Sequence, residues 1–207
     1  MSTPSLKVVV AITSPIAFHT LKNQSILQTC CDTAGEFVAH YGLGAHLAIA
    51  GTKADLVQLS EVNCEKIECN PNNAQEFAQA LHNAAAADLV MIHDSQRALT
   101  TVAQFDRVLQ ALTPSIDAVR PVSVFTETLK AIGTDQYIAG TIDRNSIKRT
   151  STPELIRHNA IDIKATSTWF VPIKADAQIA TVDADPESAR INSEKEIELM
   201  KFLLDRN

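Results

Sequence analysis

The ten residues Asp88-Leu-Val-Met-Ile-His-Asp-Ser-Gln-Arg97 constrain this chain more than any others. Leu89 to Ile92 are apolar without a break, and the run stops abruptly at His93, Asp94 and Arg97. A strand with one wet face alternates polar and apolar residues, whereas a strand covered on both faces does not. The run therefore predicts an interior strand of a parallel sheet. Open sheets of that kind bind ligands beyond the carboxyl ends of their strands, where this polar cluster falls.

The flanking pattern agrees. Lys7 to Ile12 reads as a first, central strand, and Ile26 to Tyr41 as a helix with Ile26, Leu27, Cys30, Ala34, Phe37 and Val38 at helical spacing. Gly42 and Gly44 suit its C-terminus. His46 to Ala50 is a second strand, Lys53 to Leu59 a short helix and Lys66 to Cys69 a third strand. Asn70-Pro-Asn-Asn73 breaks the chain and caps a helix running to about Ala86, and Thr101 to Leu112 is the next helix. This rhythm predicts an α/β fold, a Rossmann-like, mostly parallel sheet with helices on both faces.

After about residue 117 the rhythm changes. Pro121 to Thr126, Thr128 to Ala131 and Tyr137 to Ile142 read as extended segments around the turn Gly133-Thr-Asp135, a protruding β-arm at about 121–145. Pro153 to Ala160 reads as a helix, Ile179 to Val182 as a late strand and Glu194 to Leu204 as an amphipathic terminal helix. The whole, residues 1–207, is expected to be one domain.

The formal net charge of −6 argues against a broad nucleic-acid or anionic-membrane surface, while allowing one small basic pocket. The apolar runs are strand-sized, and the N-terminal Met-Ser-Thr-Pro-Ser lacks the basic and apolar regions of a signal peptide, so a cytoplasmic protein is expected. Cys30, Cys31, Cys64 and Cys69 have no CxxC spacing and read as reduced, packed thiols. No GxSxG, HExxH or Walker A sequence occurs, and His19, His40, His46, His82 and His158 are scattered singly.

Three clusters carry potential chemistry. Asp94 and Arg97, just past a strand end, suit hydroxyl groups or a divalent ion and a phosphate respectively, or else form a helix cap with a surface arginine. Thr126-Glu127-Thr128-Leu-Lys130 places hydroxyls and a cation on the arm, as an ordinary solvated strand also would. Asp143-Arg144-Asn145 with Lys148 and Arg149 runs into Thr150-Ser-Thr152-Pro153-Glu154; a capped helix start beside cations is an anion site, or simply a cap.

In this order and spacing, the pieces resemble the 2-C-methyl-D-erythritol 4-phosphate cytidylyltransferase family, which shares its fold with other sugar- and polyol-phosphate nucleotidyltransferases. Its HDxxRP segment is similar to His93-Asp-Ser-Gln-Arg97, with Ala98 replacing the proline. DTxK is similar to Glu127-Thr128-Leu-Lys130, and VDRxxLxxxxTPQ to the stretch from Ile142 to Glu154. NIKxTxPxDL is echoed faintly from Ser188 to Ile197. The resemblance implies that Asp94, Arg97, Thr128, Arg144 and Thr152 hold a polyol phosphate. It implies a homodimer in which the arm delivers Thr128 and Arg144 to the other subunit's site. Arg190 stands where the family has a lysine near the nucleotide, and Mg²⁺ would be needed if transfer occurs.

The departures concern the nucleotide. The family's AAGxGxRM and PKQ segments, which hold the triphosphate, face Val10-Ala-Ile-Thr-Ser-Pro15 and Ile16 here. The base-binding GGxxRxxSV segment faces Cys69 to Phe77, and TDEAS has no counterpart near Ala165 to Thr168. Three functions follow. One is a divergent homologue with weak or no catalysis and a retained polyol-phosphate pocket. Another is an active nucleotidyltransferase using a CTP-like donor. The third is a structural subunit paired with an intact paralogue.

Overall fold

The computed structural model describes residues 4–42, 44–59, 64–84, 87–166 and 171–204. Strand β1 (Leu6–Ala11) is followed by a short 3-10 turn, Pro15–Phe18, and a hairpin of β2 (Thr20–Leu21) and β3 (Gln24–Ser25). Helix α1 (Ile26–Tyr41), β4 (Ala45–Gly51), α2 (Lys53–Val57), β5 (Glu65–Glu68), α3 (Ala74–Asn83) and β6 (Leu89–Asp94) complete the βα half. Then come α4 (Val102–Gln110), β7 (Ala118–Ser123), β8 (Leu129–Ile132), β9 (Ile138–Ile142), β10 (Arg149–Thr150), β11 (Glu154–Arg157), β12 (Ile179–Asp183) and α5 (Glu194–Leu204). Ala85 and Ala86, where the expected end of α3 falls, lie outside the described residues.

The main sheet has eight strands in the order β10-β7-β11-β6-β1-β4-β5, with β12 also paired to β7. Pairs β1–β4, β1–β6, β4–β5 and β12–β7 are parallel, while β11 and β10 run antiparallel to their neighbours. The expected mostly parallel α/β sheet is therefore present.

Successive residues of β1 and β6 alternate between two cores. Leu6, Val8, Val10, Leu89 and Met91 face the helices α1, α4 and α5, together with Phe37, Phe105 and Ile197. Val9, Ala11, Val90 and Ile92 face α3, with Phe77, Ala78 and Leu81. A continuous apolar run is the only sequence that serves both sides. From β1 the chain passes outward to β4 and β5, then returns across to β6 on the other flank of β1. The strand order reverses between β1 and β6, and a crevice forms at such a point.

Local signals hold the helices as read. Ser25 Oγ accepts from Gln28 N at the start of α1, and Thr52 and Asp55 form a reciprocal capping box on α2. Gly42, at φ +97° and ψ −159°, ends α1 in a conformation that only glycine adopts readily, with open space where a Cβ would stand. A Gly42→Ala variant is expected to lose ~2 kcal/mol through backbone strain alone. Chemical denaturation checks it, and an unchanged midpoint would show that the helix end relaxes.

Three expectations need correction. Residues Glu154–Arg157 form strand β11 rather than a helix, because Leu155 and Ile156 are fully buried and pair with β6 on one side and β7 on the other. Pro153, after a cis Thr152–Pro153 peptide, precedes a strand instead of opening a helix. Residues 121–123, the start of the first segment assigned to the arm, belong to β7 in the main sheet; the other two arm segments form the separate β8–β9 hairpin. His82 and His158, single in the sequence, stack with ring centroids 5.1 Å apart.

The four cysteines are free, three of them buried. Burial pushes the Cys31 and Cys69 thiols up to about 12, as expected of inert packed thiols. Among the described residues no helix is long and apolar enough to cross a membrane.

Candidate active site at the carboxyl ends of β1 and β6

Register places the site. Ala11 at the end of β1 lies opposite Asp94 at the end of β6, so Thr13 emerges beside the Asp94 carboxylate. Thr13 Oγ1 lies 3.0 Å from Asp94 Oδ1 and 3.0 Å from Gln96 Oε1. Gln96 N donates to Asp94 Oδ1 at 3.1 Å, and Arg97 N to the Asp94 carbonyl at 3.0 Å. This is a tight turn rather than a helix cap. Arg97 is no surface residue either: it is 8% exposed, and its Nη1 donates to Ser188 O at 2.6 Å.

Thr152 enters from the loop before β11 and is fully buried. Its hydroxyl accepts from Asp94 N at 3.0 Å and lies 3.2 Å from His93 Nδ1. Thr152 thus ties the buried His93 ring, which is neutral, to the backbone of Asp94. Burial supports this by lowering the His93 pKa to about 4, with the nearby Arg97 charge adding to it and Asp94 opposing it.

Arg190 closes the cluster. Its Nε donates to Asp94 Oδ2 at 2.6 Å and its Nη2 to Thr13 Oγ1 at 3.0 Å, with a further short bond to Gln96 Oε1. Arg97 feels two other guanidiniums: burial lowers its pKa, Asp94 opposes this, and Arg190 and Arg149 add to it. Arg149 in turn sits 5.2 Å over the Phe125 ring. Arg190 thus pairs directly with one buried carboxylate, Arg97 lies close enough to feel its charge, and Arg149 acts on Arg97.

Asp94, Arg97, Thr152 and Arg190 therefore share one hydrogen-bonded network. Thr128 and Arg144 do not join it within the chain. Both are exposed at the base of the β8–β9 hairpin, and Arg144 Nη1 donates to Thr126 O at 2.5 Å. Thr13, Gln96, Ser188 and Asn72 were not apparent from the sequence. Asn72 Nδ2 donates to Thr13 O at 2.9 Å. The only signal for Thr13 and Gln96 was their closeness to a strand end and to Asp94.

The loop after β1 is closed on itself. Ser14 Oγ accepts from Ile16 N at 3.3 Å, Ser14 O from Ala17 N at 3.2 Å, and Ile16 O from His19 N at 3.0 Å. Among the described residues no group of three or more His, Cys, Asp or Glu is placed to hold a metal ion. Ser167 and Thr168, within the stretch compared with TDEAS, lie outside the described residues.

Comparison with known proteins sharpens this picture. The sequence profile of the 2-C-methyl-D-erythritol 4-phosphate cytidylyltransferase family matches residues 10–184. The enzyme of that name from Nocardia farcinica is 30% identical over 131 residues, which are 59% of this chain and 57% of the relative. Its counterpart in Rhodococcus jostii is 28% identical over 58% of this chain and 56% of its own length. The matched stretch thus spans just over half of these relatives. Among solved structures, 4-diphosphocytidyl-2C-methyl-D-erythritol synthase from Anaerococcus prevotii superposes with a TM-score of 0.75 at 16% identity, covering 98% of this chain and 99% of the other. The Thermus thermophilus cytidylyltransferase gives 0.69 at 18% identity over 95% and 98%. The profile match across most of the length, on the sheet just described, establishes that the chain belongs to the 2-C-methyl-D-erythritol 4-phosphate cytidylyltransferase family.

Proposed function

We propose that this chain is a divergent homologue of the isoprenoid-precursor cytidylyltransferases that keeps the polyol-phosphate side of a two-substrate site. Its cytidylyl transfer is weak or absent. The observation that carries this reading is the 3-10 turn at Pro15–Phe18. Its amides are bonded to Ser14 and Ile16, and no glycine, lysine or arginine occurs from Ala11 to Leu21. On the other side, Arg97 and Thr152 stand at the strand ends with Asp94, chemistry suited to a phosphate and hydroxyl groups.

Thr128 and Arg144 complete that pocket in a homodimer, each hairpin serving the neighbouring subunit. The exposed Ile132, Tyr137 and Ile138 of the hairpin support this, since apolar side chains gathered on one hairpin suit a partner surface. Light scattering at micromolar concentration is expected to give a dimer; a monomer would remove the shared site.

Ligand binding tests the reading directly. In a thermal-shift titration, methylerythritol 4-phosphate is expected to raise Tm by mass action, and CTP with Mg²⁺ to leave it unchanged. Arg97→Gln and Arg144→Ala should each abolish the shift. A shift with CTP but none with the polyol phosphate would reverse the assignment. The active-transferase alternative draws on one observation: Arg190 brings a cation to within 3.0 Å of Thr13, at the exit of β1.

A further inference from the structure

Arg190 is not a free surface arginine. The segment that carries it is pinned on both sides: Arg97 holds Ser188 O at 2.6 Å, and Ile191 N donates to Gln96 O at 2.9 Å while its side chain is fully buried. Gln96 is also tied to the strap, because its Nε2 donates to Ile191 O. Its amide oxygen is thereby turned toward the guanidinium.

Around that guanidinium stand four side-chain oxygens from four residues. They are Asp94 Oδ2, Thr13 Oγ1, Gln96 Oε1 and Asn192 Oδ1. A carboxylate, a hydroxyl and amide carbonyls are the ligand types that a hard divalent cation selects. Here every one of them accepts from Arg190. The remaining Asp94 oxygen, Oδ1, is taken by Thr13 and by Gln96 N, at 3.0 and 3.1 Å.

The family resemblance implies Mg²⁺ for the transfer reaction, and these residues do not fit a protein-bound divalent ion. Asp94 is the one acid among the four cage residues, and an ion bound to it would stand against a guanidinium that the strap holds in place. Two like charges at hydrogen-bond range repel, and the more so beside a carboxylate that is itself buried.

We propose that the Arg190 guanidinium is the resident cation of this site. It fills the oxygen cage of Asp94, Thr13, Gln96 and Asn192, so the chain holds no divalent ion on Asp94. An anionic ligand arriving at the strand ends meets fixed arginine charge, and any divalent ion present is one carried in by the ligand. This deepens the reading of the pocket under the proposed function, yet the cage is made by the chain alone and needs no ligand.

Mn²⁺ alone is the probe, followed by loss of the free-ion electron paramagnetic resonance signal on titration with purified full-length protein. Wild type and Asp94→Asn are expected to give superimposable titrations, because Asp94 binds no ion while Arg190 is present. Arg190→Ala empties the cage, and its Mn²⁺ affinity is expected to exceed that of Arg190→Ala/Asp94→Asn by at least about tenfold. Arg190→Lys keeps a cation there and should behave like wild type, which covers the case in which the alanine variant does not fold. Mn²⁺ binding by wild type that Asp94→Asn removes would overturn the proposal. So would a folded Arg190→Ala protein with no Asp94-dependent binding, or Arg190→Lys protein that gains it. Since no nucleotide or polyol phosphate is present, these outcomes are separate from the success or failure of the thermal-shift titration.

Discussion

Given CTP, Mg²⁺ and methylerythritol 4-phosphate, this protein is expected to release pyrophosphate at least about a thousandfold more slowly than a family member with an intact glycine-rich loop. Transfer to the α-phosphate builds negative charge that must be met by donors already in place. Removal of one preorganised donor costs about 100- to 1000-fold in well-studied hydrolases. Here an entire cradle is replaced. Pro15 has no N–H, and the amides of Ile16, Ala17 and His19 are bonded within the turn. Lys22, the nearest cation in sequence, sits at the tip of the β2–β3 hairpin and donates to Leu204 O at 2.8 Å. It is held against the terminal helix. Arg190 can answer part of the charge but is already committed to Asp94. A pyrophosphate-coupled assay decides the matter. Turnover within about tenfold of such a relative would establish the active transferase instead.

Acidification should destabilise the fold through His93. Its ring is fully buried, packed 5.2 Å from Phe105, and Nε2 has no partner among the described residues. Burial therefore lowers its pKa from 6.5 to about 4. In the unfolded chain the ring takes up a proton as pH falls through 6.5, while in the folded protein it stays neutral until about 4. The unfolded state binds more protons in that window, so stability is present above pH 6.5 and is lost on the way down to 4. The full loss attributable to this residue is ~3 kcal/mol. Urea unfolding at pH 7 and pH 4 should show it as a difference between wild type and His93→Asn, whose amide does not titrate. A His93 ring signal titrating near 6.5 by NMR would sink the idea.

Much of the architecture was legible because its causes are local. The unbroken run at Leu89–Ile92 required cover on both faces, and the structure supplies it from two cores. Ser25, Thr52, Asn73 and Thr101 each cap the helix that follows them, a hydrogen bond spanning three residues. Gly42 ends α1 for an equally local reason, its backbone conformation. The family motif around Asp94 and Arg97 lies within one turn, so its spacing survives folding intact.

What failed in the reading depended on distant partners. Residues 154–157 carry a proline and a possible cap just upstream, which by themselves suggest a helix. Pairing between β6 and β7 makes them a strand, because burying Leu155 and Ile156 in a sheet outweighs a weak local preference. The sequence by itself determined the parallel βα half, the helix ends and the position of the polar cluster at a strand end. Only the tertiary structure decided that Arg190 would close on Asp94, 96 residues away, that Thr13 and Gln96 would complete its cage, and that Thr152 would lock His93. Those contacts are charge-assisted or buried hydrogen bonds, whose strength depends on approach and loss of water. Neither approach nor desolvation is a property of sequence spacing; both arise when the strap and the strand ends come together.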